Sequence, residues 1–128
     1  MFEKKTFLTI PLAILGFSYF LSAGNLYANS KSSHRIPQFA NNEVTVWKTV
    51  IYPASKQRLP MHRHEHDRVL IAFTNGLLKI TNNQGKTHYL KLKKDNAYYL
   101  KKDPANELHI DENMTNHPIK VMVVELNH

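Results

Sequence analysis

Beyond residue 42 the chain alternates short runs of β-branched and aromatic residues with turn-forming clusters. Val44, Val46 and Trp47, followed by Val50, Ile51 and Tyr52, predict a first strand. Pro53 and Pro60 bracket a connection. Val69-Leu70-Ile71-Ala72-Phe73 is a continuous apolar run, the pattern of a strand buried on both faces. Thr74-Asn75-Gly76 predicts a turn and Leu77 to Ile80 a short strand. Asn82-Asn83-Gln84-Gly85 then predicts a tight turn, and Lys86 to Lys93 the return strand of a hairpin. Ala97 to Leu100, Glu107 to Asp111 and Ile119 to Leu126 follow as strands, with a Lys-Lys-Asp-Pro break after the first. No window after residue 30 carries a helical period, and short strands with frequent turns predict an all-β sandwich or barrel.

The segments before residue 43 read differently. Residues 29–42 are polar, with Ser32-Ser33-His34 and Asn41-Asn42, and predict a flexible lead-in to a single domain over 43–128. Residues 1–28 have the form of an export signal. Lys4 and Lys5 give a basic start, Phe7 to Leu21 an apolar stretch broken by Pro11, and small or polar residues lead to Tyr27-Ala28. The apolar stretch is shorter than the roughly 18–20 residues of a membrane span. Cleavage is expected after Ala28, with the Ala23–Gly24 region as the alternative site and an uncleaved anchor as the alternative fate. The expected location is the periplasm or the exterior, with no membrane insertion after cleavage.

Composition narrows the chemistry. Among 128 residues there is no cysteine, which excludes disulfides, Cys-based zinc sites, thiol nucleophiles and a lipid-modified N-terminal cysteine. The formal charge is +7; removing residues 1–28 takes away Glu3, Lys4 and Lys5 and leaves +6. The basic residues are scattered (Lys91, Lys93, Lys94, Lys101, Lys102) and lack the aromatic platforms of single-strand binding, so nucleic acid is not the expected partner. A Gly-x-Ser-x-Gly elbow and a phosphate-cradling glycine loop are both missing.

The chemistry-bearing segment is Met61-His62-Arg63-His64-Glu65-His66-Asp67-Arg68. Histidines at every second position share one face of an extended segment, and imidazole is a common ligand for transition metals. Arg68 falls on that same face as a fixed cation.

His62-Arg63-His64 with Gly76, and Pro104-Ala105-Asn106-Glu107-Leu108-His109 with Asn113, resemble the two histidine motifs of the cupins, small double-stranded β-helix (jelly-roll) domains. The resemblance runs from about Val46 to Leu126. It implies a metal site with His62, His64 and His109 as ligands, and a divalent ion such as Fe, Mn, Ni or Zn. The motif glutamate that completes such a site is replaced by Arg68, and the two glycines of the second motif by Tyr98 and Asn106. His66 is a fourth candidate ligand, able to take the vacated place. Arg68 either turns away to pair with Glu65 or Asp67, binds an anionic substrate beside the metal, or marks a site that holds no metal.

Glu65 and Glu107 are surface charges before they are general bases. His34, His88, His117 and His128 are exposed, and Trp47, Phe73 and Tyr99 belong to the core. The resemblance implies an exported metal-binding cupin acting on a small anionic molecule, by dioxygenation or isomerisation if it is an enzyme. The alternatives are a metal-free module binding a carboxylate or sugar acid, and a metal-buffering protein. A homodimer is expected to bury the second face of Val69 to Phe73.

Overall fold

The structure, a computed structural model, describes residues 31–53 and 58–128. The expected leader over 1–28 lies outside the described residues. Eight strands follow one another: β1 (His34–Ala40), β2 (Val44–Ile51), β3 (Arg68–Ala72), β4 (Gly76–Asn82), β5 (Thr87–Leu92), β6 (Ala97–Leu100), β7 (His109–Asn113) and β8 (Ile119–Leu126). All pair antiparallel, in a five-stranded sheet of order β1-β2-β8-β3-β6 and a three-stranded sheet of order β5-β4-β7. Residues Ser32–His128 form one compact unit.

Between the sheets lies a core of Trp47, Ile51, Leu70, Ala72, Leu78, Leu92, Ile119, Val121 and Val123, with Ile80, Leu90, Tyr98 and Leu100 packed against it. Every second residue supplies it, as the pleat requires: Trp47 and Ile51 on β2, Leu70 and Ala72 on β3, Ile119, Val121 and Val123 on β8. The hairpin β4–β5 turns at Gly85 with φ 81°, where a side chain would be strained. Gly76 is needed for a different reason. A Cβ there would stand 2.6 Å from Cδ1 of the fully buried Ile119, so the residue is small to let β4 approach β8, not to make a turn.

Three expectations are corrected. The lead-in 29–42 contains strand β1, which pairs with β2 from His34↔Val50 to Ala40↔Thr45 through an irregularity at Pro37–Phe39. All seven of its residues are exposed, so it carries no burial pattern that a sequence could display. The histidine row is not a strand: β3 begins only at Arg68, and His62 makes an isolated bridge to His109. Phe73 and Tyr99 are outside the core, at 39% and 58% exposure. On β6 the alternation turns Tyr98 inward and sends Tyr99 out, where its hydroxyl donates to Asp67 at 2.6 Å.

Candidate metal centre

The two histidine motifs meet through the backbone. The amide of His62 donates to the His109 carbonyl at 2.9 Å, and the amide of His109 returns a bond of 2.8 Å to the His62 carbonyl. The segment before β7 holds the loop from its other side. Its Asp103 amide donates to the His64 carbonyl at 2.9 Å, and the Asp103 carboxylate accepts from the His64 amide at 2.7 Å. Arg63, between the two motif histidines, reaches outward and donates to the carbonyls of Pro104 and Asp103. An irregular loop is thereby fixed with His62 and His64 both turned inward.

The imidazoles of His62, His64 and His109 gather at the mouth of a cavity of about 600 Å³ between the sheets, and their ligand atoms all lie within 4.8 Å of one another. The ring of His62 is 4.5 Å from that of His109 and 5.0 Å from that of His64, centroid to centroid. Trp47 lies parallel to His64 at 6.2 Å, forming an apolar wall.

At each Nδ1 there is an acceptor. His62 Nδ1–H donates to the Pro60 carbonyl at 2.8 Å, and His64 Nδ1–H to Glu125 at 3.4 Å. Nδ1 of His109 faces the Asp103 carboxylate at 3.2 Å. The partners of His62 and His64 assign the ring proton to Nδ1 and leave Nε2 of each of these two rings as a free lone pair. Burial pushes the pKa of His62 down, and that of His64 down to about 2, with Arg68 adding to the effect at His64. Both rings are therefore neutral at pH 7, the form that binds a metal. The 3.8 Å approach of His62 Nε2 to Asp111 is accordingly not an ion pair, since the ring carries no charge.

Three imidazole donors fit a divalent transition ion. Two donors bonded at about 2.1 Å to one ion stand at most about 4.2 Å apart. The widest histidine pair would close by a few tenths of an ångström, within reach of a small ring rotation.

Arg68 points inward. It is 8% exposed, lines the cavity, donates to the Lys101 carbonyl at 3.0 Å and stands 3.8 Å from Asp103. It pairs with neither Glu65, which faces Arg63 at 3.5 Å, nor Asp67, which holds Tyr99 and the Lys102 amide. His66 lies outside the histidine group; its ring is half-exposed and its Nδ1 is 3.4 Å from the second oxygen of Glu125. Glu107 accepts from Asn82 at 3.3 Å.

Four charged residues at this site stand apart from the motif positions: Arg35, Asp103, Asp111 and Glu125. Arg35 comes from β1, lies over Trp47 at 5.0 Å and lines the same cavity. Asp103 answers the charge of Arg68, so the arginine does not confront the centre as a bare cation. The sole cue in the sequence for any of these was Asp111, two residues after His109 and so on the same strand face.

The motif asparagine, Asn113, is structural. It is 2% exposed, donates to the carbonyls of Ile51 and His117, and accepts from the amide and hydroxyl of Thr115. Asn106 takes φ 63°, the left-handed conformation for which the second motif uses glycine.

No family model matches the sequence, and no curated protein matches it. Solved structures do resemble it. A cupin domain from Bordetella pertussis Tohama I superposes with a TM-score of 0.64 at 18% identity, over 78% of this chain and 98% of that one. An RmlC-like cupin from Methanocaldococcus jannaschii gives 0.57 at 18% identity, over 78% and 84% of the two chains. A conserved protein with a double-stranded β-helix domain from Klebsiella pneumoniae gives 0.55 at 19%, over 78% and 82%. With two antiparallel sheets, no helix among the described residues and these likenesses, the chain has the cupin fold, a double-stranded β-helix.

Proposed function

We propose that this protein is an exported cupin that holds one divalent transition ion on His62, His64 and His109 and receives a small anionic molecule beside it. The observation that carries this reading is the convergence of one ring nitrogen from each of the three histidines within 4.8 Å, with an acceptor beside each Nδ1. A bound ion would supply Lewis acidity or, if iron, oxygen chemistry. The chain itself supplies the rest. Arg68 and Arg35 set two positive charges in the wall of the cavity, Trp47 and Leu70 bound it with apolar surface, and Asp103 orients His109 and Arg68. This suits a carboxylate-bearing substrate for dioxygenation or isomerisation. The same two arginines support a second reading, a metal-free module for a carboxylate or sugar acid. Residues 1–28 are read as the leader that exports the chain.

The test is elemental analysis of the full chain, expressed without a histidine tag, beside His109→Ala. About one equivalent of a transition metal in the wild type and its loss in the variant are expected. Substoichiometric metal that is unchanged in His109→Ala would leave only the metal-free reading. Mass measurement of the exported product reads the cleavage site directly.

A further inference from the structure

Resting on the metal reading above, we infer that the Asp111 carboxylate, supplied from β7 two residues after His109, is the fourth protein ligand. Asp111 follows His109 by two residues on β7, so both side chains leave the same face of the strand. Its Oδ1 lies 3.7 Å from Nε2 of His109 and its Oδ2 lies 3.8 Å from Nε2 of His62. Its side chain is 16% exposed. Among the described residues no hydrogen-bond donor reaches this carboxylate.

With Nδ1 of His62 bonded to the Pro60 carbonyl and Nδ1 of His109 facing Asp103, it is Nε2 of each ring that turns toward the Asp111 carboxylate. The spacing fits a metal in that place. Both His–Asp separations are already below the roughly 4.2 Å limit for two donors bonded to one ion at about 2.1 Å. It also brings a negative charge, which imidazole ligands do not, to a centre that has Arg68 in its wall.

Co(II) serves as the probe, loaded into the full chain and followed by competition against a chelator and by its visible absorption. Asp111→Ala should weaken Co(II) binding by at least about 100-fold, more than the loss of an outer-shell partner gives, and alter the absorption of the ion that remains. His109→Ala should abolish binding. Wild-type affinity and spectrum in Asp111→Ala, with binding lost in His109→Ala, would overturn the inference and keep the histidine site. A wild type that takes up no Co(II) would overturn both. Should the alanine variant fail to fold, the wild type alone decides by carbon NMR with Zn(II). The Asp111 carboxyl resonance should shift on loading by more than that of the outer Asp103, and an Asp111 signal that does not move would overturn the assignment.

Discussion

The Oδ2 atom of Asp103 stands 3.2 Å from Nδ1 of His109, and the same carboxylate lies 3.8 Å from Arg68 through its other oxygen. One residue from an irregular segment thus orients a candidate ligand and answers the charge of the buried arginine. The amide of His64 adds a third tie at 2.7 Å.

Asp103→Asn should therefore lower metal affinity about 10–100-fold, because a carboxamide holds the Nδ1–H of His109 less well and carries no charge. Chelator competition measures this. Unchanged affinity would mean that the 3.2 Å contact does not orient the ring.

Arg68→Gln should act in opposite directions on two quantities. Removing the cation from the cavity wall should raise metal affinity by about tenfold or more. Without metal, the variant should lose about 1–3 kcal/mol of stability, because Asp103 is left without its counter-ion while keeping its bond from the His64 amide. Unfolding in chelator and metal competition together read the pair of effects, and a gain in both would contradict the buried placement of Arg68. Binding of small carboxylates should weaken in the same variant.

Gly76→Ala should destabilise the fold by about 1–3 kcal/mol through overpacking. The new Cβ would stand 2.6 Å from Cδ1 and 2.7 Å from Cγ1 of Ile119, which is fully buried and would have to shift. Thermal unfolding should fall by about 4–8 °C per kcal/mol. Adding Ile119→Val, which removes Cδ1, should recover part of the loss; no recovery would point to the backbone instead.

The Asp67–Tyr99 bond sets a pH window. The Tyr99 hydroxyl, then the Lys102 amide, holds Asp67 below its ordinary carboxylate pKa of 3.8, and the same bond raises Tyr99 above 10. The folded state favours ionised Asp67, so its contribution is present above pH 3.8 and is lost as the pH falls through the lowered folded value. It favours protonated Tyr99, so that contribution holds below pH 10 and is lost as the pH rises through the raised folded value. In Tyr99→Phe, the carboxyl titration of Asp67 followed by carbon NMR should move up toward the ordinary range. An unmoved titration would remove the tyrosine as its cause.

Much of the fold was legible because strands of this kind announce themselves locally. The apolar run at Leu70, the turn at Gly85 and the final strand from Ile119 to Leu126 are properties of a few neighbouring residues. Strand β1 was not, because a strand exposed at every position buries no face and leaves no period to read. The histidine row misled for the opposite reason. Its two-residue period fits a strand, yet bonds from Asp103 and His109 hold it as a loop and let His62 and His64 turn inward while His66 turns to Glu125.

By itself the sequence determined an all-β chain without thiol chemistry, with histidines in two separated motifs and an arginine four residues after His64. Periodicity, turn chemistry and residue type are local, so they survive in one dimension. The tertiary structure alone decided that Arg68 faces inward against Asp103, that Arg35 crosses from β1 to the same cavity, and that Glu125 flanks the imidazoles. Those relations depend on strand register and on backbone bonds between distant segments, and no spacing along the chain encodes them.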